Sequence, residues 1–212
     1  MAVRYKRMVV GQLKANCYLL FDEKAKSAVI IDPGDDADHI QKAISDNELI
    51  VKAIIATHGH FDHIMAALEL KLVYNVPFLA SRKDESLIKR VDSTSLYFTN
   101  VKSDPPPTID VDLDKEKNIS FNGIKLEIIR TPGHTPGGVS FYIRKERLLI
   151  VGDVVFKDGV GRTDFKYSNT KNNQLSIKKL LSYPSDTIIL SGHGDETTVG
   201  EIKSTMKLSI DS

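Results

Sequence analysis

Short apolar runs bounded by turn residues set the rhythm of the chain. Residues 4–10 and 15–22 alternate or run apolar around Gly11, and predict two antiparallel strands. Residues 27–32 predict a third strand, ended by Pro33-Gly34. Residues 36–47 carry Ile40, Ala43 and Ile44 at helical spacing. Residues 51–57 read as a buried strand and residues 64–74 as a helix, followed by a short strand at 77–80 and a short helix at 84–90. The stretch 91–118 is polar and rich in proline, with Pro105, Pro106 and Pro107 in a row. It predicts a long irregular surface segment, a length at which loops are often functional. Beyond it, Asn122-Gly123 sits between two apolar runs within 119–130, a strong hairpin signal. Strands follow at 139–143 and 147–151, then a glycine-containing loop at 159–165. A helix at 174–181, a strand at 187–190 and a helix at 199–208 close the chain. Strands then helices occur twice, with a His-Gly or Gly-His corner in each half, a weak internal symmetry.

Residues 57–63, Thr-His-Gly-His-Phe-Asp-His, break this rhythm with chemistry. On one helix His58 and His60 would sit about 200° apart. In extended or looped backbone, residues two apart point the same way and can converge on one ion. The motif follows a strand and precedes a helix, a common place for an active site in α/β proteins. A surface chelator or a polar loop is the plain alternative. Three later strand ends or glycine turns also present ligand-type residues: His134 within 131–138, Asp153 after Gly152, and His193 within 191–195. Five of the six histidines fall in these elements, which structural histidines would do only by accident. The sixth, His39, has no ligand-like neighbour. Asp32 ends a strand, and two readings stand: a turn cap, or an acidic group that braces metal ligands from behind. Cys17, inside a strand, reads as a small buried hydrophobe.

The 57–63 motif resembles the signature of the metallo-β-lactamase superfamily. The resemblance extends over about residues 8–205. It implies an α/β (α+β) fold, a four-layer αββα sandwich, expected here as a single domain over 1–212. It also implies two divalent metal ions. His58, His60 and His134 would hold the first; Asp62, His63 and His193 the second; Asp153 would bridge them. Zinc is the first expectation, and iron and manganese accept the same donors. Three protein ligands per ion plus a bridge leave positions open for chemistry. Such a pair supplies a Lewis acid and an activated water. Asp62 would be the catalytic residue that orients the water and takes its proton. The net positive remainder of the site favours an anionic substrate.

Residues 131–137 (Thr-Pro-Gly-His-Thr-Pro-Gly), Gly152-Asp153, residues 161–165 (Gly-Arg-Thr-Asp-Phe) and residues 191–194 (Ser-Gly-His-Gly) look like the glyoxalase II-like (hydroxyacylglutathione hydrolase-like) branch. That implies a thioesterase of the S-lactoylglutathione type, with a small anionic thioester, glutathione-linked in that branch, as substrate. The 161–164 motif also occurs in persulfide dioxygenases, which would use a single non-haem iron on His58, His134 and Asp153. A metal-binding scaffold without catalysis is a third alternative. Full-length glyoxalase II enzymes add a C-terminal helical region that supplies basic residues for glutathione. Here only 19 residues follow His193, so recognition of glutathione is not implied. Arg162, Lys166, Tyr142 and Tyr167 are the candidate substrate contacts. Arg162 has an equal alternative, a loop clamp on Asp164.

Composition narrows the classes. Lys and Arg number 29 against 28 Asp and Glu, so nucleic acid is not an expected partner. One cysteine excludes an internal disulfide, and no apolar run approaches the roughly 20 residues of a membrane span. The N-terminal residues are too polar for a signal peptide, which disfavours a secreted β-lactamase and makes a cytoplasmic protein the expectation.

Overall fold

The structure, a computed structural model, describes residues 3–210; residues 1, 2, 211 and 212 of the expected domain lie outside the described residues. The first half runs β1 (Val3–Val10), β2 (Ala15–Asp22), β3 (Ser27–Ile31), α1 (Ala37–Asp46), β4 (Ile50–Ile55), α2 (Ala67–Tyr74), β5 (Phe78–Ala80), α3 (Glu85–Ile88), α4 (Val91–Thr99) and β6 (Val111–Asp112). The second half runs β7 (Asn118–Phe121), β8 (Ile124–Arg130), β9 (Val139–Ile143), β10 (Leu148–Gly152), β11 (Val155–Phe156), β12 (Gly159–Val160), α5 (Thr170–Leu180), β13 (Ile188–Ser191), β14 (Thr197–Thr198) and α6 (Val199–Ile210).

Two six-stranded sheets form, in the orders β1-β2-β3-β4-β5-β6 and β14-β13-β10-β9-β8-β7. The period of two in a strand sorts each residue to a layer. In β2, Tyr18 and Leu20 join a core between the sheets, while Ala15, Cys17 and Leu19 face the helices of the first half. In β10, Leu148 and Ile150 enter the middle core, and Leu149 and Val151 face α5 and α6. Three buried clusters between four layers result: helices, sheet, sheet, helices. This is the expected αββα sandwich.

Several elements differ from the sequence expectation. Residues 91–99 form α4 instead of irregular chain, and Val111–Asp112 adds an edge strand to the first sheet beside β5. Val155–Phe156, just before the expected glycine loop of 159–165, pairs with Gly159–Val160 at its start as a small hairpin. The metal motif does not open an α-helix: Phe61–His63 is a single 3₁₀ turn, and α2 begins only at Ala67. A single 3₁₀ turn lacks the run of aligned peptide dipoles that lets a helix N-terminus attract anions, so Asp62 has no such helix end beside it. Helix α5 starts at Thr170, where the Asn169 side chain accepts a hydrogen bond from the Asn172 amide and caps it.

Candidate metal centre

The site forms where the strands stop. Asp32 directly follows β3, Asp153 directly follows β10, and the loops after β4, β8 and β13 carry the histidines. His58, His60, His134 and Asp153 bring one donor atom each within 4.8 Å of one another, as do Asp62, His63 and His193. All seven residues expected as ligands thus surround one place. Asp153 lies between the groups: Oδ2 is 3.6 Å from His134 Nε2 and 3.7 Å from His193 Nε2, and Oδ1 is 3.5 Å from His63 Nε2.

The first group has a proton count that a metal fits. His58 Nε2 and His134 Nε2 lie 3.1 and 3.0 Å from His60 Nδ1. His134 Nδ1 donates to the Arg162 carbonyl at 2.8 Å, so its inward nitrogen is bare. The Thr57 hydroxyl donates to Asp32 Oδ2 at 2.6 Å and accepts from His58 Nδ1 at 3.0 Å, so His58 Nε2 is bare too. His60 Nε2 is 2.8 Å from the Tyr167 hydroxyl. Three inward nitrogens therefore share at most one hydrogen. Nitrogens on one tetrahedral ion would stand about 3.3 Å apart, from bonds of about 2.0 Å. Burial, then the neighbouring imidazoles, hold His58 well below its ordinary pKa and His60 down to about 3, so both rings are neutral, the form that ligates.

The second group is charged. Buried His63 Nε2 and Asp153 Oδ1 make no hydrogen bond. His63 Nδ1 faces Asp32 Oδ2 at 3.1 Å, which turns Nε2 toward Asp62, 3.7 Å away. His193 Nε2 approaches Asp62 Oδ2 at 3.2 Å. Burial would lower His63 and His193, but Asp153 and Asp62 beside them pull both up. Burial would raise Asp62 and Asp153, but His63 foremost holds both down, Asp153 well below the carboxylate range. Positive charge is thus favoured where Asp62 and Asp153 converge, which suits a divalent cation. Gly192 makes room here: a Cβ on it would stand 2.1 Å from Asp153 Oδ1 and 2.7 Å from His63 Cε1.

Asp32 braces the centre. Besides His63 it accepts from the Thr57 amide at 2.7 Å, and it does so from a left-handed backbone with φ of 53°. Asp84 was not foreseen. It is buried and accepts three hydrogen bonds: from the Gly59 amide at 2.9 Å, the Thr135 hydroxyl at 2.7 Å and the Gly137 amide at 2.6 Å. It joins the His58–His60 loop to the His134 loop. Its partners are 25 to 53 residues away in sequence, so no local pattern pointed to it.

Of the substrate candidates, Arg162 and Tyr167 line a cleft of about 410 Å3 together with His60, Asp62, His134, Asp153 and His193. Arg162 also clamps Asp164 through two hydrogen bonds of 3.0 and 2.7 Å. Lys166 is exposed and is not among the cleft-lining residues. Tyr142 is a correction. It alternates out of the middle core in β9, faces the outer helical layer, and meets Tyr183 at 4.5 Å between ring centroids. Apart from Thr94, the rest of the cleft wall is apolar: Leu13, Phe61, Phe98, Phe156, Val160 and Phe165.

A four-layer sandwich with two His/Asp groups at its strand ends defines a class of metal-dependent, hydrolase-type enzymes. The model of the family described as the metallo-beta-lactamase superfamily matches residues 10–193, and the chain belongs to that superfamily. It is 36% identical over 202 residues to hydroxyacylglutathione hydrolase GloC of Haemophilus influenzae, with 92% of each chain covered. Among solved structures it is similar to BLEG-1 B3 metallo-beta-lactamase (TM-score 0.89, 33% identity, 95% of this chain and 97% of that one). It is also similar to TTHA1623 in a di-iron-bound form (TM-score 0.85, 32% identity, 94% and 98%). The family binds divalent metals, and the His/Asp clusters here suit them. Among the described residues, no helix is long and apolar enough to cross a membrane.

Proposed function

We propose that the protein hydrolyses a small thioester with an anionic end, using two divalent metals, zinc in the first instance. The observation that carries this reading is the pair of donor groups joined at Asp153, with inward nitrogens left bare. His58, His60 and His134 would hold one ion, Asp62, His63 and His193 the other, with Asp153 shared. A bound pair of ions supplies Lewis acidity for the acyl oxygen and lowers the pKa of water. Asp62 lines the cleft and its carboxyl stays ionised beside His63 and His193, so it can orient that water and accept its proton. Tyr167 and the Arg162 carbonyl fix the outer nitrogens of His60 and His134 and keep those rings aimed inward.

The leaving group favours a thioester over an amide. A thiolate, from a thiol of pKa about 8.5, departs without a proton donor, whereas an amide nitrogen needs one. The Tyr167 hydroxyl is a poor donor, because burial and then the Asp84 charge raise its pKa. The relationship to GloC points the same way, while that to BLEG-1 keeps β-lactam hydrolysis as a comparison assay.

The test pairs metal analysis of the purified protein with hydrolysis of S-lactoylglutathione under nitrogen and in air, in the wild type and His193→Ala. Two metals per chain, oxygen-independent hydrolysis and its loss in the variant are expected. One iron per chain, with oxygen uptake on glutathione persulfide that survives His193→Ala, would replace this reading with a mononuclear dioxygenase using His58, His134 and Asp153.

A further inference from the structure

We infer that the cleft wall on the Asp62–His193 side is a subsite for an apolar acyl chain, so that the preferred thioesters carry a medium-length alkyl acyl group; this rests on the thioesterase reading above. The two walls of the cleft differ in chemistry. Beside the first donor group, Phe165 and Tyr167 stack at 5.3 Å, with Phe165 5.5 Å from His60. The Arg162 guanidinium lies 4.7 Å over the Phe165 ring and is the one Lys or Arg side chain among the cleft-lining residues. On the other side, Phe156 stands 6.2 Å from His193, and Phe98 stacks on Phe61, the residue before Asp62, at 5.8 Å and 8°. Leu13, Val160 and Thr94 also line the cleft, and none of the three carries a charge.

Leu13, Phe98 and Val160 are 43%, 55% and 49% exposed. Scattered apolar residues at a surface need no explanation, but these gather in a concavity that touches the metal-ligand side chains. Phe98 is held by its ring stack on a largely buried Phe61, so the wall is formed before any ligand arrives. The two substituents of a thioester diverge in the plane of its trigonal carbonyl carbon. With the carbonyl over Asp153, one substituent meets Arg162 and the other meets Phe98, Phe156 and Val160. Arg162 suits a charged thiol moiety, which leaves the acyl group on the apolar wall.

The experiment is an acyl series on one constant thiol: acetyl-, butanoyl- and hexanoylglutathione, assayed with the metal-loaded enzyme. Burial of each methylene predicts a rise in kcat/KM of about fourfold per CH2 up to hexanoyl. In Phe98→Ser that slope should flatten. A flat or falling series in the wild type overturns the inference. Calorimetric binding of S-methyl- and S-hexylglutathione, which cannot be hydrolysed, gives the second readout. Tighter binding of the hexyl compound, lost in Phe98→Ser, supports the subsite even if no thioester is cleaved and the thioesterase reading falls; equal binding of the two overturns it.

Discussion

Replacing Asp84 with asparagine isolates one carboxylate that ties two ligand loops together. Its Oδ2 accepts from the Gly59 amide and the Thr135 hydroxyl, and its Oδ1 from the Gly137 amide. Asparagine is the same size but has one acceptor oxygen and a donor NH2. If the oxygen takes the Oδ2 place, the NH2 faces the Gly137 N–H. If it takes the Oδ1 place, the NH2 faces the Gly59 N–H, and only the Thr135 hydroxyl can turn to accept. Either way one buried backbone donor loses its partner, at a cost of about 1–3 kcal/mol. Burial foremost raises the Asp84 carboxyl pKa, so the amide relieves part of that strain on the charge, and the lower half of the range is expected. No backbone shift can avoid the conflict cheaply, since a Cβ on Gly137 would already stand 2.8 Å from Asp84 Oδ1. At about 2–4 °C per kcal/mol for a chain of this size, Tm should fall by roughly 2–8 °C. The loops it spaces carry His58, His60 and His134, so metal affinity should fall about 10- to 100-fold as well. Thermal melts with and without chelator, together with metal titrations, separate the two effects. The hydrogen bonds belong to the protein alone, so the stability loss should persist in the chelated protein. A variant that matches the wild type in both Tm and metal affinity would refute the reasoning.

Asp62→Asn should cut hydrolysis by orders of magnitude with the fold intact, because the amide neither accepts the proton nor ligates as an anion; turnover and metal content read together check it, and near-normal turnover removes the proposed role. Arg162→Ala should raise KM more than it lowers kcat if the guanidinium meets the anionic end of the substrate, and lower Tm if the Asp164 clamp matters more; steady-state kinetics and a melt distinguish the two. Asp110 sits where burial would raise its carboxyl, but Lys71 and the Phe78 amide hold it below the ordinary value. A depressed folded pKa contributes stability above the unfolded pKa of about 3.9 and loses it as pH falls through the folded value. Asp110→Asn should therefore be less stable than the wild type near pH 7, by no more than about 1 kcal/mol for so exposed a pair, with the gap closing in urea melts as pH falls through the folded value.

The parts of the fold that were legible in the sequence are those whose partners are local or periodic. The apolar run of β2, the two-residue turn at Asn122-Gly123 and the Ile40, Ala43, Ile44 face of α1 each announce themselves within a few residues. Helix α4 did not. It buries only Val91 and Ser95 and leaves Leu96, Tyr97 and Phe98 exposed, with Phe98 lining the cleft, so its hydrophobic residues do not follow the 3.6-residue period of a core-facing helix. Residues 155–160 failed for a related reason, since a two-residue strand pair is too short to show a period.

The site divides along the same line. The ligand-type residues were legible because they are chemically rare and sit beside glycine turns, and the structure gathers all seven. What orients them was mostly hidden. Asp32 was half visible as the end of a strand, but the side chains it contacts, Thr57 and His63, lie 25 and 31 residues away. The Arg162 carbonyl that fixes the His134 tautomer is backbone, and no residue type encodes it. Tyr142 was misplaced because an aromatic near a ligand loop looks the same on either face of β9, and only the layer it packs against decides its role. Arg162, read as either substrate contact or clamp, has the geometry of both: its side chain pairs with Asp164 and lies over Phe165, while its carbonyl holds a metal-type histidine. A side chain truncation therefore tests only half of that residue. The other half depends on the 161–165 backbone, held against the site by the Gly161 amide, which donates to the Val154 carbonyl at 3.2 Å. Substrate recognition and ligand orientation meet in one loop, so a change of substrate that moved this loop would also disturb His134.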